Sequence, residues 1–152
     1  MEENQFIIKR EYPDNPVVGV GAVIIKDGRA LLVKRGKEPG YGRWSIPGGA
    51  VHLGEKLSRA IEREVLEETG LVVKAGEIVK VYEPIIKDKE GKIQYHYVLI
   101  DFMCSYVSGE PQPSSDILDA AMASPEELDK YDLPRATHSL IRQCLKSAGL
   151  LE

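Results

Sequence analysis

Residues 56–69, KLSRAIEREVLEET, contain neither glycine nor proline and are followed at once by Gly70. That pattern predicts one helix with a left-handed glycine cap at its C-terminus. On a wheel of about 100° per residue with Leu57 at zero, Ala60 falls at about 300° and Ile61 at about 40°. Glu64 falls at about 340° on that wheel, Glu68 at about 20° and Glu67 at about 280°. The three carboxylates therefore continue the apolar stripe one turn on, while Arg59 and Glu62 point elsewhere as solvent residues. Like charges three and four residues apart destabilise an isolated helix. A solvated, salt-bridged face is the ordinary explanation of such a run, but it would keep the acids off the core-facing stripe.

Acids on a partly buried face need a counter-charge. Clustered carboxylate oxygens suit a hard divalent cation, Mg²⁺ or Mn²⁺, which keeps several waters and shares its shell with substrate phosphates. A water held in that way is more acidic and becomes a ready nucleophile. Arg63, beside the acids, can orient a carboxylate through a bidentate contact.

The remainder of the chain supplies a setting for this helix. Its 152 residues read as a single domain, 43% hydrophobic and 29% charged, which is a globular composition and argues against disorder. A formal charge of −4 offers no global basic surface to a phosphate backbone, so nucleic acid is not an expected partner. Cys104 and Cys144 have no metal-ligand spacing and read as buried thiols, with one disulfide left open. The N-terminal residues show no signal-peptide core and no segment reaches the length of a membrane span, so the expected location is cytoplasmic.

Residues 17–34 are two β-branched runs joined by Asp27-Gly28, a hairpin signal. A glycine- and proline-rich loop follows, broken by a short strand around Trp44 to Ile46. After the helix, LVVKAGEIVKVYEP and KIQYHYVLIDFMCSYV read as strands around a polar KDKEGK turn. SGEPQPSSD is a polar loop, and SPEEL carries a capping box with Ser124 as cap, Pro125 at the first position and Glu127 as partner. Residues 135–149 read as a C-terminal helix with Ala136, Leu140, Ile141, Cys144, Leu145 and Ala148 on one stripe. Residues 1–16 stand as an N-terminal extension. Strands, helix, strands and helices in that order predict an α/β or α+β sandwich with helices against a mixed sheet.

Gly49, five residues, Glu55, seven residues and then REVLEETGL from Arg63 to Leu71 resembles the signature box of the Nudix hydrolases at every defined position. GVGAVIIKDGRALLVKRG is similar to that family's opening hairpin and GRWSIPGG to its lead-in loop. The resemblance implies a Nudix-type α/β/α sandwich with a mixed β-sheet, and Mg²⁺-dependent hydrolysis of a nucleoside diphosphate linked to another moiety. It implies Glu64, Glu67 and Glu68 as metal-binding carboxylates, joined by the main-chain carbonyl of Gly48. Glu55 and Arg63 match the supporting pair that shapes loop and helix. Gly48 and Gly49 would let the backbone approach a pyrophosphate closely. His52 stands where many relatives carry an acid and is given no role. In many relatives the general base comes from a loop at the position of SGEPQPSSD; Glu110, Asp116 and Asp119 are candidates, with Asp116 preferred by position.

The box leaves the leaving groups open. The arrangement as a whole resembles the compact ADP-ribose pyrophosphatase branch, and Pro84, fourteen residues past Gly70, lies near that branch's marker proline. Arg35, Trp44 and Tyr82 could offer cationic and aromatic surfaces to a nucleotide, although a strand-end charge and a core tryptophan explain the first two as well. His96 alternates with Tyr95 and Tyr97 and reads as a satisfied sheet-face residue. Hydrolysis of oxidised nucleoside triphosphates or of dinucleoside polyphosphates are the alternative activities. A nucleotide-sensing module on the same fold is the non-enzymatic one, against which the intact box argues, and a structural module with an acidic helix would bind no metal. The partner implied is a small-molecule nucleotide, with no membrane and a homodimer left open.

Overall fold

The structure, a computed structural model, describes residues 8–151; residues 1–7 of the expected N-terminal extension and Glu152 lie outside the described residues. The opening hairpin forms as the sequence predicts. β1 (Val17–Lys26) turns into β2 (Arg29–Arg35) through Asp27 and Gly28, whose φ values of 52° and 76° suit the right-handed twist of the flanking strands. Pairing between these strands is confined to Ile25↔Ala30 and Lys26↔Arg29. Beyond it β2 carries β3 (Trp44–Ser45) and β8 (Ile117–Ala123), while β4 (Gly48–Ala50) takes the β1 edge at Gly19 to Gly21.

On its other side β1 runs parallel to β7 (Ile93–Ser108), from Val17↔Tyr97 to Ile24↔Cys104. Antiparallel β5 (Val72–Tyr82) and β6 (Ile85–Lys87) also pair with β7. A central strand buried on both faces should be apolar in succession rather than in alternation, and VVGVGAVII is. Val20, Ala22 and Ile24 pack with Ile100, Phe102 and Cys104 against Ala60, Ile61 and Val65 of α1 (Leu57–Thr69). Val23 faces the other way and packs on Leu140 and Cys144 of α2 (Arg135–Ser147). One helix on each face of a mixed sheet is the α/β sandwich the sequence implies.

Several boundaries differ from expectation. β4, β6 and β8 fall in stretches read as loop or left without an element, because two glycines, a three-residue run and an alanine-rich segment carry little β-propensity. The C-terminal helix ends at Ser147 rather than 149, and Ala136 and Ala148 are exposed, leaving Leu140, Ile141, Cys144 and Leu145 as its buried stripe. SPEEL makes its capping box, with the Ser124 N–H donating to Glu127 Oε1 at 3.1 Å, but on a 3₁₀ turn. Both cysteines are free and buried, one packed toward α1 and one on α2.

Glu62 is not the solvent residue the wheel suggests. Its Oε2 accepts the Ala75 N–H at 2.9 Å, where β5 slips register against β7 between Ala75 and Ile78. A side chain of α1 thereby satisfies a β5 donor beside the slip. Glu62→Ala should lower stability by about 1–2 kcal/mol, since it strands that donor. Urea unfolding of the variant beside Glu62→Gln, which keeps an acceptor, checks this: the glutamine should recover much of the loss.

Candidate active site

The site is built where β4 meets α1. Gly48 pairs with Gly21 and Gly49 with Val20, so the two glycines lie flat against β1. A Cβ on Gly48 would sit 2.1 Å from the Val20 carbonyl oxygen, and one on Gly49 would sit 2.3 Å from the Glu64 carboxyl carbon. The missing Cβ atoms therefore allow close approach between protein groups, and the same two glycines line the adjoining cleft. The Gly48 N–H also donates to Glu68 Oε1 at 3.0 Å. Strand and helix are joined through the carboxylates themselves.

Arg63 organises the rest. Its Nε and Nη2 grip both oxygens of Glu55 at 2.8 and 3.0 Å, and Nη2 also reaches the Ala50 carbonyl at 3.0 Å. Nη1 donates to Glu64 Oε1 at 2.7 Å and to Glu67 Oε2 at 3.2 Å. Glu55 in turn accepts the His52 N–H at 3.0 Å, which closes the loop between β4 and α1. The guanidinium holds the Glu55 carboxyl below the usual carboxylate range. Glu55 and Arg63 thus tie the loop after β4 to α1.

Glu64 and Glu68 are buried, at 8% and 6% exposure, whereas the Glu67 side chain is 59% exposed. Burial raises the Glu64 carboxyl against the pull of Arg63. Burial likewise pushes Glu68 up to about 7, aided by the Glu64 charge and opposed by the Gly48 N–H and by Lys37 and Arg35. Among the described residues, no three acidic, histidine or cysteine side chains are gathered to hold one ion. The expected convergence of Glu64, Glu67 and Glu68 is absent in this conformation because Arg63 draws the first two and Gly48 the third. The donor set nevertheless fits a hard cation: all side-chain ligands are oxygen, and the two buried carboxyls carry charge that the protein leaves under-compensated.

Beside these groups lies a cleft of about 200 Å³. Gly48, Gly49, Tyr82, Pro84 and Tyr97 line it, and Arg10, Arg35 and Lys37 add positive charge. Arg35 and Pro84, two of the residues proposed from sequence to meet a nucleotide, both line this cleft. Trp44 does not: its ring meets Tyr131 edge to face at 4.8 Å and packs with Ala30, Leu32 and Leu128. A tryptophan on the two-residue β3 finds its partner across that core, which local sequence could not show. Asp116 stands outside the lining, bonded through Oδ2 to Lys37 Nζ at 3.4 Å, and Lys37 in turn acts on Glu68. Glu110 lines a separate small pocket with Leu71 and Tyr106, and Asp119 caps its own strand by accepting the Ala120 N–H. His96 is satisfied by Glu83 at 2.9 Å, as its alternation suggested.

Sequence reasoning missed Arg10, Lys37 and Asp101. The first two are surface-type residues with no pattern. Asp101 did leave a signal, a lone acid inside the apolar run YVLIDFMC.

Comparison with known proteins agrees with this geometry. The NUDIX domain family matches residues 15–144. An ADP-ribose pyrophosphatase of Methanocaldococcus jannaschii is 35% identical over 121 residues, which is 80% of this chain and 66% of that protein's length. The nucleoside triphosphatase NudI of Escherichia coli K12 is 33% identical over 136 residues, covering 85% of this chain and 94% of its own. A MutT NUDIX hydrolase from Burkholderia pseudomallei superposes with a TM-score of 0.69 at 33% identity, covering 86% of this chain and 98% of its own. The chain belongs to the Nudix hydrolase family, whose members act on phosphoanhydride bonds.

The raised Glu68 carboxyl has a consequence for metal-free protein. Its folded pKa of about 7 exceeds the ordinary 4.5, so the folded state holds a proton that the unfolded chain releases earlier. Stability from this group is complete below pH 4.5 and is lost as pH rises to about 7, by up to about 3 kcal/mol. Urea unfolding in EDTA should show that loss, Glu68→Gln should remove most of it, and Mg²⁺ should offset it above pH 7.

Proposed function

We propose that the chain is a Mg²⁺-dependent pyrophosphohydrolase whose preferred substrate is ADP-ribose or a close nucleoside diphosphate sugar, cleaved to AMP and ribose 5-phosphate. The observation that carries this reading is the cleft, in which tyrosines, proline and three basic side chains share a lining with Gly48 and Gly49, the β4 residues that touch Glu68 and Glu64. Such a surface suits a flat base at one end and a pyrophosphate at the other. The archaeal ADP-ribose pyrophosphatase supports the choice of substrate.

Glu64, Glu67, Glu68 and the Gly48 carbonyl would hold the cation, with Mn²⁺ as a second option. Bound there, it supplies neutralisation of the pyrophosphate charge and a more acidic water. Arg63 and Glu55 keep the helix and the β4 loop in fixed relation, which limits where the reacting phosphate can sit. Arg35 and Lys37 offset negative charge on the substrate. Asp116, the proposed general base, sits one ion pair from the cleft through Lys37, a link that Glu110 lacks. A second reading, hydrolysis of nucleoside triphosphates, is favoured by the NudI relative, which this chain matches over nearly its whole length.

Glu67→Gln and Glu68→Gln should each lower turnover by about two orders of magnitude or more while the fold persists. Melting curves and rates of both variants, with and without Mg²⁺, test this, and near wild-type rates in both would remove the carboxylates from the mechanism. Catalytic efficiency measured side by side on ADP-ribose, 8-oxo-dGTP and diadenosine polyphosphates decides the substrate. ADP-ribose should lead, and a clear lead for either of the others moves the assignment there.

A further inference from the structure

Among the described residues Asp101 is the only acid that lines the cleft, and the proposed reaction does not use it. It lies in β7 between Ile100 and Phe102, is 3% exposed, and lines the cleft with Gly19, Gly21, Tyr82 and Leu99. Alternation along β7 turns Leu99, Asp101 and Met103 away from the α1 core that Ile100 and Phe102 fill. Among the described residues it takes part in no hydrogen bond or ion pair. Burial pushes its carboxyl up to about 6, opposed only by the charge of Lys80 on the neighbouring strand. Its other neighbours are a tyrosine, Tyr82, which its charge helps push up to about 12, and a thiol, Cys144.

A carboxyl this little exposed and without a donor from the protein costs folding free energy, and its oxygens keep only their opening onto the cleft. The sequence also keeps the carboxyl uncovered. Its partner across the sheet is Gly21, where a Cβ would sit 2.4 Å from Asp101 Oδ1. An acceptor held in an apolar, aromatic-walled cleft, with its covering residue reduced to glycine, is poised for a donor that arrives with the ligand.

We propose that Asp101 is a specificity-determining residue that accepts a hydrogen bond from the exocyclic amine of the substrate's base. This rests on the nucleotide reading above and adds which base edge is read. A base that presents a carbonyl at that position sets oxygen against oxygen and is disfavoured. Lys80 does not take over the contact, because its ammonium lies over the Tyr82 ring at 4.4 Å.

Adenine and hypoxanthine differ in that group, amine against carbonyl, and at N1, which becomes an N1–H donor, so purine riboside 5′-monophosphate, which lacks only the amine, is titrated beside them and should bind as weakly as IMP. Binding of AMP and IMP to the wild-type chain, titrated by calorimetry, needs no turnover and so stands even if the preferred reaction is another. AMP should bind about tenfold or more tightly. Asp101→Asn keeps the shape and adds an amide donor, and should bring the ratio to unity or reverse it. Gly21→Ala, which sets a methyl group against the carboxyl, should weaken AMP more than IMP. Equal binding of the two nucleotides by wild type, or an unchanged ratio in a folded Asp101→Asn protein, overturns the proposal. Failure of ADP-ribose hydrolysis with the ratio intact would instead overturn the substrate and leave Asp101 as the base reader.

Discussion

The guanidinium of Arg63 is the contact on which the site depends. One side chain of α1 reaches a loop carboxylate, a β4 carbonyl and two further acids of its own helix. Without it, Glu64 and Glu67 would face each other as like charges on adjacent turns, and the Glu55 carboxyl would lose the partner that keeps it ionised. The planar fork matters, because lysine could neutralise charge but could not hold Glu55 by two parallel bonds while reaching Ala50. The same contact sets a condition on metal binding. A cation that takes Glu64 and Glu67 must share them with Arg63, so the guanidinium both holds the acids ready and competes for them.

Much of this was legible in the chain, for a physical reason. Helical periodicity acts over a few residues, so placing Glu64 and Glu68 on the buried stripe needed only their spacing from Leu57 and Ile61. The hairpin at Asp27-Gly28 and the glycine cap at Gly70, with φ of 79°, are likewise local. What the sequence could not show is decided at long range. Trp44 is drawn to Tyr131, nearly ninety residues on, and no pattern around it separates that fate from a cleft position. β8 exists because β2 offers an edge, not because ILDAAMA prefers to be extended. Glu62 looked exposed on the wheel because its partner, the Ala75 N–H, lies on another element.

The glycines give a sharper case of what pattern alone conceals. Gly19, Gly21, Gly48 and Gly49 lie together where β4 pairs with β1. Each in fact has its missing Cβ filled by a different protein group: the Leu99 methyl, the Asp101 carboxyl, the Val20 carbonyl and the Glu64 carboxyl. Two of the four occupants are acids. The small residues of β1 and β4 thus let carboxylates lie against backbone, where burial keeps them reactive and where a longer side chain would expel them.

Stability and chemistry pull in opposite directions at these positions. Glu64, Glu68 and Asp101 are each raised by burial, so keeping any of them ionised costs the fold free energy. The chain tolerates them because both sheet faces are well packed elsewhere, with Ile24, Leu31, Ile61 and Val65 toward α1 and Leu32, Ile141 and Leu145 toward α2. The acids also differ in what can relieve them. Glu64 has Arg63 and Glu68 has the Gly48 N–H, so a cation arriving there displaces or shares existing bonds. Asp101 has neither, and a donor arriving there breaks no bond within the protein. Ligand binding should therefore relieve Asp101 more simply than metal binding relieves the α1 acids, which is the behaviour expected of a residue that selects rather than one that reacts.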